Sequence, residues 1–149
     1  MKSLTVSAIK EGTVIDHIPS NVTFMVVDIL DLAKTGNIVS VATNLKSKKL
    51  GKKGIVKIGG KVLSNEEVNK IALIAPHATL NIIKNYEVIK KIEVRIPKVV
   101  DDILKCFNPN CVTNHEDIST RFYLESEDPL KLRCHYCERI MERDSMLLK

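Results

Sequence analysis

The chain has 149 residues, 44% of them hydrophobic, enough for one domain or two small ones. Its 23 Lys+Arg against 18 Asp+Glu give a formal charge of +5, too mild by itself to argue for a nucleic-acid partner. The longest apolar runs, such as Ile71 to Pro76, are too short to span a bilayer. Met1-Lys2-Ser3-Leu4-Thr5 lacks the apolar core of a signal peptide, so a cytoplasmic chain with no membrane partner is expected.

Leu4, Val6 and Ala8 alternate with Thr5 and Ser7, the period of a half-buried strand. Glu11-Gly12 interrupts the pattern, which resumes over Thr13 to Ile18. Pro19-Ser20 opens a helix with Ser20 as its N-cap. Val22, Met25, Val26, Ile29, Leu30 and Ala33 supply one helical face, and Gly36-Asn37 ends it. Ile38 to Leu45 is a β-branched strand. The lysine-rich stretch Lys46 to Lys53 reads as an exposed hairpin connection, and Gly54 to Leu63 as the returning strand, with Gly59-Gly60 a site for a kink or bulge. Ser64 and Glu67 form a capping box ahead of a helix that buries Val68, Ile71, Ala72 and Ala75, and Pro76 stops it. Ala78 to Ile83 is a strand, and Asn85-Tyr86 turns into a last one. In that strand Tyr86, Val88, Ile92, Val94 and Ile96 are expected on one face, with Glu87, Lys91, Glu93 and Arg95 on the other.

Strand, helix, strand, strand, helix, strand, strand predicts an α+β fold: a ferredoxin-like antiparallel sheet with two helices on one face. Arg95-Ile96-Pro97-Lys98 punctuates the chain, so two domains are expected, 1–97 and 98–149. The second piece is too short to bury a sufficient core unaided.

All the cysteines lie in that piece. Cys106-x4-Cys111 and Cys134-x2-Cys137 are close pairs 22 residues apart, and Asn108-Pro109-Asn110 is strong turn chemistry. Two such turns present four sulfurs to one tetrahedral Zn²⁺, one per chain, within a small all-β, zinc-ribbon-like domain. A site closed by four thiolates has no open position, so the metal builds the fold and activates no water. The alternatives are two disulfides, which suit a secreted protein, or a redox pair Cys134/Cys137, which leaves Cys106 and Cys111 unexplained.

Nothing here reads as a catalytic site. The chain lacks G-x-x-x-x-G-K-[ST], G-x-G-x-x-G and G-x-S-x-G patterns. Asp16 and His17 are neighbours in a strand, which sends their side chains to opposite faces and argues against a dyad. Lys46, Lys48, Lys49, Lys52, Lys53, Lys57 and Lys61 cluster within sixteen residues, basic and flexible around Gly51 and Gly54.

Gly12-Thr13-Val14-Ile15-Asp16-His17-Ile18-Pro19, Ala75-Pro76-x-Ala78-Thr79-x-Asn81 with Asn85-Tyr86-Glu87-Val88, and Cys106-x-Asn108-x-Asn110-Cys111 with Cys134-x-Tyr136-Cys137-Glu138 resemble the regulatory chain of aspartate carbamoyltransferase. The resemblance spans almost the whole chain, in order and spacing. It implies an N-terminal allosteric domain that binds nucleoside triphosphates such as CTP and ATP, and a zinc domain that docks on the catalytic chains. It further implies pairing of regulatory chains as a homodimer, a role in pyrimidine biosynthesis and no catalysis by this chain. Carried over by motif position, the nucleotide site takes Ala8, Ile9, Asp16, Lys53, Lys57, Asn81, Ile83, Tyr86, Val88 and Lys91. Lysines suit a mobile polyphosphate, being point charges on flexible stems. Asn108 and Asn110 are turn formers, and the resemblance adds for them and Glu138 a contact with the catalytic chain. The competing reading is a zinc-ribbon nucleic-acid-binding protein tracking phosphates with its lysines. Three Tyr, three Phe and no Trp disfavour base stacking, so no nucleic-acid partner is expected.

Overall fold

The structure, a computed structural model, describes residues 8–149. The expected strand at Leu4 to Ala8 therefore lies mostly outside the described residues; Ala8 itself is exposed and precedes the first strand. The chain divides into two compact units, 1–95 and 96–149. Among the described residues no helix is long and apolar enough to cross a membrane.

The first unit runs β1 (Glu11–Pro19), α1 (Thr23–Ile29), β2 (Val39–Ser47), β3 (Gly51–Gly59), α2 (Asn65–Ile74), β4 (Thr79–Lys84) and β5 (Glu87–Glu93). Its five-stranded sheet has the order β2-β3-β1-β4-β5, with every neighbouring pair antiparallel. β1 and β2 therefore run parallel with β3 between them, the split crossover of a ferredoxin-like sheet, and β5 is an added edge strand. One face carries Thr13, Ile15, Ile18, Val56, Ile58 and Leu80, all buried to within 1% exposure, beneath helices that bury Val26, Ile71, Ala72 and Leu73. Gly54 belongs to this face because a Cβ there would lie 1.9 Å from Thr23 Oγ1, so the first turn of α1 seats directly on β3.

α2 starts as its sequence dictates. The Ser64 hydroxyl accepts the Glu67 N–H (3.2 Å) and the Glu67 carboxylate accepts the Ser64 N–H (3.1 Å). α1 departs from expectation at both ends. Ser20–Val22 is a 3-10 turn with Pro19 at its cap position, and Ser20 Oγ accepts the Asn44 N–H (3.1 Å) on β2 instead of capping α1. Asp31, in the left-handed region at φ 53°, then breaks the expected run to Ala33 into a seven-residue helix and a 3-10 turn, Leu32–Lys34.

Gly59-Gly60 closes β3 without a bulge. The bulges flank β3 elsewhere: on β1 between Ile15 and Ile18, where His17 has φ 58°, and on β2 between Ala42 and Leu45, where Asn44 has φ 63°. A third makes Ile89 the extra residue of β5, since Ile83 pairs with Val88 and Ile82 with Lys90. β2 and β3 extend well into the lysine-rich stretch, pairing out to Ser47 and Gly51.

The second unit is all-β. β6 (Val99–Asp101), β8 (Arg121–Glu127), β9 (Leu130–Cys134) and β10 (Ile140–Glu142) form a four-stranded sheet in the order β10-β9-β8-β6, and β7 (Leu104–Lys105) pairs with β11 (Leu147–Leu148). Its core is small: Val100, Leu104, Phe122, Leu132 and Met141 are within 1% of full burial, together with Cys111 and Cys134.

Candidate functional site

The face of the first sheet opposite its helices is ordered by strand register, since directly paired residues share a face. Ser40, Lys57, Val14, Asn81 and Lys91 are mutually paired across all five strands and form one row. On one side lies the row Gly59, Gly12, Ile83, Val88; on the other, Asp16, Thr79 and Glu93. Gly12 has φ 137°, and a Cβ on it would lie 2.0 Å from the Ile58 carbonyl oxygen, so the tight approach of β1 to β3 in this row requires glycine.

Six residues expected at the nucleotide site, Asp16, Lys57, Asn81, Ile83, Val88 and Lys91, therefore fall on this face. The β5 bulge is what brings Val88 and Lys91 together, against the expected alternation that puts them on opposite faces. Lys53 joins them through an ion pair with Asp16, Nζ to Oδ1 2.9 Å, both side chains only 20% exposed. Tyr86 and Asn85 form the β4–β5 turn with φ of 66° and 53°. The Tyr86 N–H donates to the Lys10 carbonyl (3.0 Å), which sets Lys10 beside that turn at the end of the sheet, with Ile9, just before it, half-buried.

The bulge on β1 overturns the expectation for Asp16 and His17. The His17 N–H donates to Asp16 Oδ1 (2.6 Å), and its Nδ1 lies 2.9 Å from Thr79 Oγ1, the residue paired with Asp16. The two side chains thus meet around Thr79 on one face. Val14, Thr79 and Glu93 complete the rows and escaped the sequence reading, because register across strands far apart in sequence leaves no local signal.

In the second unit the four Sγ atoms of Cys106, Cys111, Cys134 and Cys137 lie within 4.8 Å of one another. Cys106–Cys137 are 3.7 Å apart and Cys111–Cys134 3.8 Å. A tetrahedron with metal–sulfur bonds near ~2.3 Å has edges of about 3.8 Å, so these separations fit one metal ion. All four cysteines are free, which removes the disulfide alternative.

Burial pushes the Cys106 thiol well up, against the Asn108 N–H that favours its thiolate. Burial likewise raises Cys134, against N–H groups of Cys137 and Tyr136. At Cys137 burial is outweighed by the Arg139 N–H, the Asn108 side chain and the neighbouring thiols, and the value falls to about 7. Cys106 and Cys134, so buried, are held as thiolates by a cation beside them.

The turns that hold them are bonded internally. Asn108 is 8% exposed; its Oδ1 accepts the Asn110 N–H (3.1 Å) and its carbonyl accepts the Cys111 N–H (3.0 Å). Asn114, which sequence reasoning missed, donates Nδ2 to the carbonyls of Cys106 (3.0 Å) and Asn108 (2.7 Å) and ties the first loop shut. Thr113 Oγ1 lies 3.2 Å from Cys111 Sγ. Asn110 and Glu138 are exposed, and Glu138 has φ 63° at the end of the second turn, where its N–H donates to the Cys134 carbonyl (3.0 Å). His135 stands outside the cysteine cluster, its Nδ1 2.6 Å from the Tyr123 hydroxyl.

Comparison with known proteins adds the family. The model of the aspartate carbamoyltransferase regulatory chain, allosteric domain, matches residues 4–95. That of the same regulatory chain's metal binding domain matches residues 98–147. Aspartate carbamoyltransferase regulatory chains of Pyrococcus horikoshii, Pyrococcus abyssi and Pyrococcus furiosus are similar at 59%, 58% and 58% identity over 149 residues, covering 99% of this chain and 98% of each relative. All of these descriptions name a regulatory chain and not a catalytic one. A bulged antiparallel sheet with an allosteric-domain match, followed by a tetracysteine metal-binding unit, makes this chain a member of the aspartate carbamoyltransferase regulatory chain family.

Proposed function

We propose that the first unit, together with the residues up to 97, binds nucleoside triphosphates of the CTP and ATP type on the outer face of its sheet. The remainder, from residue 98, docks on the catalytic chains through Asn110, Glu138 and the turn that Asn108 shapes. The observation that carries this reading is the register: Lys57, Asn81 and Lys91 form one row, between Ile83 and Val88 on one side and Asp16 with Lys53 on the other. An apolar row suits a base, a carboxylate suits a ribose diol, and the lysines suit phosphates. Strand ends and backbone groups near Ile9 and Tyr86 suit an exocyclic amine.

The metal is Zn²⁺, for which four thiolates at tetrahedral spacing are the fitting donor set, and its part is structural. Pairing of two regulatory chains is supported by edge strand β2, whose span Val39–Leu45 bears no charge to block strand addition. The chain works in the cytoplasm, where cysteines stay reduced. Nucleic acid is not the ligand of the zinc unit, since residues 96–149 carry 8 Lys+Arg against 10 Asp+Glu before any thiolate is counted.

Coupling then follows from linkage: a nucleotide that binds better to one state of the assembly shifts the aspartate response of the catalytic chains, in the service of pyrimidine biosynthesis, and allosteric couplings are typically about 1–3 kcal/mol. The test is titration calorimetry of wild type, Lys57→Ala and Lys91→Ala with a nucleoside triphosphate and the matching nucleoside. The variants should weaken the triphosphate far more than the nucleoside, and added salt should narrow the gap. Unchanged triphosphate affinity in both variants overturns the site. Aspartate saturation of the assembly with catalytic chains, indifferent to every nucleotide tried, overturns the coupling.

A further inference from the structure

Beyond Lys53 the β2–β3 hairpin leaves the sheet. The last β1 residue paired with β3 is Pro19, opposite Lys53, while β2 and β3 continue through Lys46–Lys52 and Ser47–Gly51 with no third strand among the described residues. This two-stranded arm holds Lys46, Lys48, Lys49 and Lys52, all exposed. Lys46 and Lys52 are directly cross-strand, an arrangement of like charges that destabilises a hairpin. The sequence supplies no relief, for there is no acidic residue between Asp31 and Glu66. Other lysines of this unit do find carboxylates: Lys34 with Asp31, Lys53 with Asp16, Lys61 with Glu67 and Lys70 with Glu66. None of the four arm lysines makes an ion pair with a described residue.

We propose that the arm is a polyphosphate subsite, with Lys48 and Lys49 at its tip taking the terminal phosphates of a nucleotide and the Lys46–Lys52 pair adding to the field. This rests on the nucleotide reading of the outer face. The arm begins where that face ends: Lys53 touches Asp16, and Gly51 is two residues further, roughly 7 Å along the strand at ~3.4 Å per residue. A phosphate chain that runs past Lys53 points toward the arm, whose lysines reach back to it on long flexible stems, whereas a monophosphate held over the Lys57–Lys91 row stays short of it. The ligand class is a nucleoside tri- or tetraphosphate, selected by chain length over the mono- and diphosphate.

The experiment is a calorimetric ladder of adenosine mono-, di-, tri- and tetraphosphate on the full chain, as wild type, Lys48→Gln/Lys49→Gln and Lys46→Gln/Lys52→Gln, at two salt concentrations. Removing the two tip lysines should weaken the tri- and tetraphosphate about fivefold or more, leave the monophosphate within about twofold and flatten the salt dependence, as expected for two exposed charge contacts. Inorganic tripolyphosphate should compete with the tetraphosphate and leave the monophosphate bound. A ladder unaffected by the substitutions, or an equal loss for the monophosphate, overturns the arm while the outer-face site stands. A wild-type chain that binds no adenosine nucleotide, with intact far-UV circular dichroism, overturns the outer-face reading and the arm with it.

Discussion

Stripping the metal from this chain should unfold one unit and spare the other. The 54 residues of 96–149 bury five large apolar side chains to within 1% exposure, Val100, Leu104, Phe122, Leu132 and Met141, and place two cysteines among them. A piece this small is marginal on apolar burial alone. Structural zinc contributes about 10–16 kcal/mol to the folding of comparable sites, as large as the whole net stability of ~5–15 kcal/mol of an ordinary domain. Its removal therefore takes the second unit past its midpoint. The thiols left behind oppose any rescue by ionisation, because burial holds Cys106 and Cys134 above the ordinary thiol range. The first unit loses nothing, for its core of Ile15, Ile18, Val56, Ile58 and Leu80 contains no cysteine. The assay is hydrogen exchange after treatment with a mercurial and chelator, with metal analysis alongside. Protection should vanish from about residue 98 onward and persist across β1, β3 and β4, with nucleotide still bound. Cys111→Ser should give the same pattern with zinc present in solution. A zinc-free chain that keeps protected amides in β8 and β9 refutes the reasoning.

Asn114→Ala removes the two donors that close the first cysteine loop and should lower metal affinity about 10–100-fold, read by competition with a chromogenic chelator. Gly54→Ala drives a methyl into Thr23 and should cost about 1–3 kcal/mol in urea unfolding; Thr23→Ala in the same chain should recover part of it, giving a non-additive pair. Ser64→Ala should cost ~1 kcal/mol by loss of the α2 cap. Glu67 is raised by burial but lowered further by the Ser64 N–H, the Ser64 hydroxyl and Lys61, so its folded value lies below the ordinary one. Its contribution is present above the ordinary glutamate range and is lost as pH falls through the lower folded value; the stability gap between wild type and Glu67→Gln should close over that interval in acid urea melts.

Local signals carried much of the fold. The cysteine pairs announced a four-sulfur site, and the capping box placed α2 at its observed start. The β-branched run from Ile38 and the Gly54 stretch became the neighbouring strands β2 and β3. Where a side chain had two partners to choose from, the sequence was ambiguous. Ser20 is a good cap by type, yet its hydroxyl serves the bulged Asn44 on β2, because a tertiary donor is available there that no local rule reveals. Thr23, an ordinary helix residue by pattern, is fixed by three oxygens: the Ser20 carbonyl at 3.1 Å, the Thr43 hydroxyl at 3.1 Å and the Pro19 carbonyl at 3.5 Å.

The outer face exposes the deeper reason. Strict alternation puts Val88 and Lys91 on opposite sides of β5, and Asp16 and His17 on opposite sides of β1. A site using both members of either pair is then impossible on one face. One extra residue in each strand removes the contradiction: Ile89 shifts β5 by one position between Val88 and Lys91, and His17, at φ 58°, turns back to Thr79. Neither bulge is marked by glycine, the residue that would have advertised it, and a non-glycine residue with positive φ costs of order 1 kcal/mol or more. His17 recovers some of that through its hydrogen bond to Thr79, and its N–H orients Asp16 toward Lys53. Register, not periodicity, thus assembles the face: on β1 it is decided by partners more than thirty residues away in the chain, and on β5 by the bulge within its hairpin with β4.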